Sequence, residues 1–347
     1  MTKIYRGSSS MEMRKVQFTG NSSYVISLPI EWIRSMNISK NEPLGIRLQS
    51  DGSLLILPRP SLELTVREKE LHADTIKDPT FLFRCMVGSY IAGYTSIRVV
   101  SSTTLPPSMR KAARDFTQMT IGQQIVEETE SSIVIKDLLN PVEMPFENSI
   151  KRMYIIVKTM FKDAILSLEN KDIILATDIV NRDTEVDKLQ WLISRQYHLL
   201  LQDLTLSEKM HVPLKQALNY YVVSRILERV GDHGVRLATH IPILLDHHID
   251  QKLVAEIKNA IDLAMVILDS SIHSIFSGSL FDANRTIDSV GELESVADGI
   301  TSIALQRKGE LALSIGYIAE STRRAGEYAA DISEAIINQL IEEKKGL

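Results

Sequence analysis

Glu228-Arg-Val-Gly-Asp232-His-Gly-Val-Arg-Leu-Ala238 is the stretch that decides how the C-terminal half of this chain is read. Residues four apart in a helix stand one above the other, so Glu228 and Asp232 share a face. The same acidic pair recurs as Asp183/Asp187, Glu294/Asp298 and Glu327/Asp331. Carboxylates at this spacing repel unless water screens them or a cation sits between them, so the repeated pair is either a solvated face or a cation site.

Around these pairs the helical period holds from residue 146 onward. Six helices are predicted: Phe146 to Leu168, Asp172 to Gln202, Pro213 to His240, Asp250 to Phe276, Phe281 to Lys308 and Ala312 to Glu343. Breakers at Asn170-Lys171, His211-Val-Pro213, Pro242 to His248 and Ser277-Gly-Ser279 separate them. Three helices followed by three more of similar length indicate an internal duplication. In that register Glu294 answers Asp183 and Glu327 answers Glu228. Asp183 and Asp187 fall inside the apolar arc marked by Ala176, Ile179 and Val180, whereas the other pairs fall on its flank or back. In an antiparallel three-helix bundle the two pairs of one repeat converge four carboxylates, an all-oxygen set that suits hard cations such as magnesium, manganese or iron.

Ahead of the helices, residues 14 to 57 read as four short strands around one short helix. Arg14 to Phe18 and Tyr24 to Leu28 alternate across the turn Thr19-Gly-Asn-Ser22, and Pro29 opens a helix over Ile30 to Met36. A second hairpin runs from Leu44 through Ser50-Asp-Gly-Ser53 to Leu57. A module this small is near the lower limit for burying its own core, so a partner chain is expected. Residues 61 to about 140 read as a small α/β segment: strands at Leu62 to Val66 and Ser96 to Ser101, helices at Pro79 to Gly93 and Pro107 to Met119, and a hairpin of Gln123 to Glu128 with Ser131 to Asp137. No phosphate-cradling glycine loop or nucleophile motif appears in it.

Composition sets the frame for these elements. With 347 residues, 44% of them apolar and 24% charged, the chain has a globular composition and room for two or three domains. A single cysteine, Cys85, excludes an intrachain disulfide and points to a reduced, cytoplasmic setting. Neither a secretory signal nor an uncharged apolar run of membrane-spanning length is read, so no membrane insertion is expected. The net charge of −5 is uneven. Residues 1 to 60 carry eight Lys and Arg against four acids, a basic head on an acidic body.

Residues 11 to 60 resemble the AbrB/SpoVT type of swapped-hairpin DNA-binding domain. The resemblance lies in Arg14-Lys-Val-Gln-Phe, Thr19-Gly-Asn-Ser-Ser, Tyr24-Val-Ile-Ser-Leu-Pro, Glu31-Trp-Ile and Asp51-Gly-Ser-Leu-Leu-Ile-Leu-Pro. It implies a homodimer with interleaved hairpins, and it implies DNA contacts from Arg14, Lys15, Gln17, Asn21, Ser22 and Ser23, the cations on phosphates and the amides able to read base edges. A dimerisation domain without DNA is the alternative. The family's Pro-Gly-Asp before the second hairpin is Glu42-Pro-Leu44 here, and Ile30 stands where a lysine often follows the proline.

Residues 146 to 345 resemble the PhoU family of phosphate-uptake regulators, through Glu228-Arg-Val-Gly-Asp232-His and the nearer variants Glu294-Ser-Val-Ala-Asp298 and Glu327-Tyr-Ala-Ala-Asp331. The resemblance implies metal clusters, iron or zinc, held by Asp183, Asp187, Glu228, Asp232, Glu294, Asp298, Glu327 and Asp331. The expected fold is therefore multidomain: a flexible N-terminus (1–10), a swapped-hairpin β domain (11–60), a small α/β connector (61–145) and an all-α pair of three-helix bundles (146–245 and 246–347). The expected function is a dimeric, phosphate-responsive transcriptional regulator rather than an enzyme. The alternative is a signalling adaptor that acts on a phosphate transporter or a sensor kinase without touching DNA. His233, His247 and His248 are read as solvated or outer-sphere histidines, and Glu208 to His211 as part of a turn. Trp32 and Trp191 are read as core residues.

Overall fold

A computed structural model describes residues 12–20, 23–48, 52–57, 67–247 and 249–342. The chain divides into Met1–Thr65 and Val66–Leu347. In the first unit β1 (Gln17–Thr19) and β2 (Ser23–Val25) pair antiparallel, with Phe18 opposite Tyr24. Helix α1 (Ile30–Ser35) follows Pro29, and β3 (Gly45–Leu48) pairs with β4 (Leu54–Leu57). The two hairpins and the short helix are those expected from the sequence. None of the described residues from 12 to 57 is buried. Ile46, Leu48 and Leu54, brought to one face of the second hairpin by strand alternation, are 64–71% exposed.

The second unit opens with a four-stranded sheet in the order β5-β6-β8-β7. Its strands are β5 (Glu68–His72), β6 (Ser96–Val100), β7 (Gln123–Glu128) and β8 (Ser132–Asp137). β5 and β6 are parallel and β8 runs against both β6 and β7. Helices α2 (Pro79–Ile91) and α3 (Pro107–Gln118) supply Leu82, Met86, Tyr90, Met109, Ala113 and Phe116 to a core shared with Ile97, Val99, Ile133 and Ile135. The expected strand Leu62 to Val66 lies outside the described residues, and the first strand of the sheet is Glu68–His72 instead. In that edge strand only Leu71 is buried, so it carries no period of alternating apolar residues to find.

The helices are α4 (Phe146–Asn170), α5 (Ile173–Gln202), α6 (Leu204–Lys209), α7 (Leu214–Asp246), α8 (Gln251–Ser277), α9 (Leu280–Asp288), α10 (Val290–Ala304) and α11 (Gly309–Glu342). Capping chemistry fixes their starts. Asp172 accepts from Leu175 N at 3.0 Å, Asp250 from Leu253 N at 2.7 Å and Ser279 from Asp282 N at 3.2 Å. Gly278, at φ 63°, ends α8 in the left-handed conformation.

Three expected boundaries move. α7 does not stop at His240 but runs through Pro242, because the extra turn buries Ile241 and Leu244 completely and that burial offsets the backbone hydrogen bond the proline removes. The fifth expected helix is two, α9 and α10, jogged at Ser289, whose hydroxyl bonds Thr286 O at 2.6 Å. Between α5 and α7 the short α6 intervenes, capped by Asp203 on Thr205 N at 2.8 Å. Glu208 sits in α6 and His211 follows it at φ 52°, so the two are not paired along one helix. Helix α8 is long and apolar enough to cross a membrane, yet half of its most apolar window is buried in the bundles. α4, α5 and α7 form one three-helix bundle, and α8, α9 to α10 and α11 form the other. α7 and α11 make the most extensive contact between the two.

One buried ion pair holds the sheet to the bundle. Arg195 of α5 pairs with Asp137 at the end of β8 and also donates to the Tyr90 carbonyl, with its guanidinium 4.9 Å from the Tyr90 ring centroid. Their side chains are 3% and 7% exposed. Trp191, one turn earlier, packs edge-on to Phe83 at 6.3 Å, so it belongs to the connector core as much as to the helices.

Candidate metal centre

Burial of Ala176, Ile179, Val186 and Leu189 turns one face of α5 into its bundle, and the same geometry turns Asp183 and Asp187 toward α7. On α7, the buried series Val223, Leu227, Val230 and Gly234 leaves Glu228 and Asp232 at the edge of that interface. Gly231 is what lets the helices close here. A Cβ at that position would lie 3.3 Å from Asp183 Oδ1 and 3.6 Å from Val186 Cγ1. Burial raises the proton affinity of all four carboxylates, and neighbouring acids add to it at Asp183, Asp187 and Glu228. Burial, then the charges of Asp232 and Glu228, push Asp183 up to about 6. Burial, then Asp183, Glu228 and Asp232, push Asp187 up to about 7, against a small pull from Arg225. Glu228 and Asp232 are raised by burial first as well.

Asp183 Oδ1 is buried without a hydrogen-bond partner. Arg225, Arg229 and Arg236 stand nearby, but none forms an ion pair among the described residues. Nor, among the described residues, are three His, Cys, Asp or Glu side chains gathered tightly enough to hold one metal ion. The arrangement is four carboxylates across two helices, with arginines that partly offset their charge without forming ion pairs among the described residues. Oxygen donors suit a hard cation by their chemistry, although among the described residues they do not lie within reach of one common ion.

The second repeat is built differently. Gly326 of α11 packs on Leu293 of α10, where a Cβ would meet Leu293 Cδ2 at 2.1 Å, with Ile267 of α8 next to it. Gly231 packs in the same way on Val186 of α5 and Val157 of α4. The structural register therefore sets Gly326 against Gly231 and Leu293 against Val186. Asp187 then answers Glu294, Asp232 answers Glu327, Asp183 answers Val290, and Glu228 answers Arg323. This corrects the register read from the acidic pairs, which matched Asp183 with Glu294 and Glu228 with Glu327.

The consequence is electrostatic. Arg323 pairs with Glu327 and lies 2.7 Å from Glu320, while Arg324 lies 2.9 Å from Glu327 and 3.0 Å from Glu320. Glu294 and Asp298 are exposed. Asp331 is raised by burial first, then by Glu334 and Glu327, and Arg229 lowers it. Glu327 is thus held by guanidinium groups, and the structure does not gather Glu294, Asp298, Glu327 and Asp331 as it gathers the first four.

Of the residues expected at DNA, Arg14 bonds Ser27 Oγ at 3.3 Å and pairs with Glu12. Lys15, Gln17 and Ser23 are exposed, and Asn21 and Ser22 lie outside the described residues. From the sequence, Arg229 is legible as a partial neutraliser of the acids, as are Arg323 and Arg324, whereas Arg225 and Arg236 were missed. Their spacing on α7 was legible, but the side they face depends on where α11 packs.

Comparisons with known proteins bear on both halves. The PhoU domain family matches residues 150–241, and the family described as antidote-toxin recognition MazE, bacterial antitoxin, matches residues 17–63. The chain is similar to the phosphate-specific transport system accessory protein PhoU homolog 1 of Thermotoga maritima, 22% identical over 201 residues, covering 55% of this chain and 84% of that protein. It is similar also to the PhoU homolog of Rhizobium meliloti, 23% identical over 187 residues, with 52% and 78% covered. Among solved structures, PhoU from Streptococcus pneumoniae superposes with a TM-score of 0.49 at 18% identity, covering 58% of this chain and 96% of that one. Residues 150–241 are thus a PhoU domain and residues 17–63 a domain of MazE/AbrB type, the two carried on one chain.

Proposed function

We propose that this protein is a phosphate-responsive transcriptional regulator: a homodimer that binds DNA through residues 11–60 and holds metal ions at Asp183, Asp187, Glu228 and Asp232. The observation that carries the reading is the joining, in one chain, of a MazE/AbrB-type domain to a PhoU domain whose four facing carboxylates have no ion-pair partner. Dimerisation is supported by the head itself, since a unit with no buried residue among those described, and with a face of Ile46, Leu48 and Leu54 in water, needs a second copy to make a core. Lys15, Gln17 and Ser23, exposed beside the first turn, are the proposed DNA contacts together with Arg14, Asn21 and Ser22.

A metal at the first-repeat cluster would be bound by carboxylate oxygens from α5 and α7 and would supply fixed positive charge between the two helices. Iron and zinc are the occupants proposed from family resemblance, and magnesium or manganese suit the oxygen donors equally. Glu294, Asp298, Glu327 and Asp331 are left out of the proposed metal set, two being solvated and Glu327 being held by two arginines. The relatives are accessory proteins of phosphate-specific transport by name, and a regulatory rather than catalytic role is proposed here on that likeness.

The test is a gel shift of the full chain on its own promoter region, with and without phosphate and with and without chelator. A complex that weakens with salt and responds to phosphate or chelator is expected. Failure to form any salt-sensitive complex at micromolar protein sinks the reading. The engagement of Arg14 by Glu12 favours a second reading, an adaptor whose head only dimerises and whose body docks a phosphate transporter or sensor kinase. Transporter capture without DNA binding would establish it.

A further inference from the structure

Asp232 borders two environments: the acidic cluster toward α5, and a cleft of about 490 Å³ between α7 and α11. The cleft carries three guanidinium groups, Arg229 and Arg236 from α7 and Arg324 from α11. Arg229 and Arg236 are seven residues apart, two turns along the same face. Its second acid, Glu320, is already engaged by Arg323 and Arg324. Arg229 and Arg236 form no ion pair among the described residues, and the Arg229 guanidinium lies 5.8 Å from the Tyr328 ring centroid. The His233 ring stands 5.6 Å from that of Tyr328, and His233 Nδ1 is buried without a hydrogen-bond partner. Donors from two helices of different bundles thus line one opening, Arg324 paired with Glu320 and Glu327 and Arg229 and Arg236 outside any ion pair among the described residues, and only Asp232 is left there as an uncommitted anion.

Guanidinium forks match the oxygens of a tetrahedral oxyanion, and several around one opening favour a multiply charged one. We propose that the α7–α11 cleft binds a phosphate-class oxyanion, free or as the terminal phosphoryl group of a larger solute, through Arg229, Arg236 and Arg324. The assignment of phosphate as the physiological anion rests on the proposed phosphate response; the anion site itself rests on the cleft. Asp232 connects it to the cluster. A cation bound among Asp183, Asp187, Glu228 and Asp232 neutralises the one carboxylate that repels an oxyanion in the cleft, so metal and oxyanion strengthen each other's binding.

The experiment is equilibrium dialysis of the full chain with radiolabelled inorganic phosphate, in chelator and after loading with manganese alone, with a nucleoside triphosphate in a parallel arm. Saturable phosphate binding is expected, tighter with manganese. It should weaken about tenfold or more in the Arg229→Gln/Arg236→Gln variant, the size of effect that loss of charge-assisted hydrogen bonds produces. An Arg229→Lys variant, which keeps the charge and loses the fork, should fall between. Arg152→Gln, on the same body away from the cleft, should bind as the parent does. Circular dichroism and bound-manganese content unchanged in the Gln variant exclude unfolding and loss of the metal site as the cause.

Tighter retention of the nucleotide through the same arginines supports the site and identifies a larger phosphorylated solute as its source. Absence of saturable binding of either probe, or parental affinity in the double variant, overturns the proposal. Binding at the arginines together with DNA affinity indifferent to phosphate leaves this site standing and removes the regulatory reading. A phosphate effect on DNA that survives in the double variant does the reverse.

Discussion

Replacing Asp187 with asparagine should stabilise the metal-free protein, the opposite of what removing a buried carboxylate does where that carboxylate is satisfied. The fold holds Asp183 at about 6 and Asp187 at about 7, both raised from 3.8 by burial first, then Asp183 by Asp232 and Glu228, and Asp187 by Asp183, Glu228 and Asp232. At neutral pH the folded chain is therefore strained by ionising groups that the unfolded chain ionises freely. Each pKa unit corresponds to about 1.4 kcal/mol. Both groups are only partly buried and the shift of Asp187 is shared with its acidic neighbours, so solvent screening leaves about 1 to 2 kcal/mol for Asp187→Asn. In a helical body of this size that amounts to a rise in Tm of about 2 to 8 °C.

The dependence on pH follows from the same shifts. Below about pH 4 both carboxyls are protonated in either state. Between there and about pH 7 the unfolded chain has released protons that the folded chain still binds, so stability falls as pH rises. Thermal melts in chelator at several pH values should show the parent declining across this window, and Asp187→Asn lying above it with a shallower slope. Adding manganese or iron should reverse the order at pH 7, raising the parent and leaving the variant almost unmoved. A variant that melts below the parent in chelator at pH 7 would mean that Asp187 makes a stabilising bond, and the metal assignment would lose its physical basis.

Arg195→Ala strands Asp137 in a buried setting and should cost about 3 to 5 kcal/mol, with amide exchange showing the sheet loosened ahead of the helices; melting unchanged from the parent would remove the clamp. Gly326→Ala forces a methyl group into fully buried Leu293 and should cost about 1 to 3 kcal/mol by thermal melting, a cost absent if α10 and α11 are less closely packed than described. Ile46→Glu with Leu48→Glu should convert a dimer to a monomer in sedimentation velocity; if those side chains face water in the assembled protein, the change is silent.

Much of this architecture was legible because periodic burial dictates it. The helical half was readable from the spacing of residues such as Ile150, Val157, Phe161, Ala164 and Leu168, and Pro29, Pro79 and Pro107 marked helix starts correctly. That Asp183 and Asp187 lie on the inward side of α5, near enough to Glu228 and Asp232 to feel their charge, was legible from the apolar arc of α5, whereas the expected gathering of the four around one ion is not seen among the described residues. What escaped were features decided by packing across sequence-distant elements. Pro242 reads as a stop until the burial of Ile241 and Leu244 is known. The repeat register was set by counting carboxylates, whereas the fold sets it by the glycines that admit close helix contact. Glu327 and Arg323 then turn out to be charge partners rather than half of a second cation site. Arg195 gave no local sign of its role, since its partner lies 58 residues earlier.

That separation has a consequence during synthesis. Translation at roughly 5 to 20 residues per second completes β8 about 3 to 12 seconds before Arg195 is made. Throughout that interval the Asp137 end of the sheet has no cation to dock against and must stay hydrated. The connector therefore reaches its final state only once α5 has been extruded, so the nascent sheet waits on the helices. A chain truncated before Arg195 should display that sheet with one end open to solvent and to proteolysis.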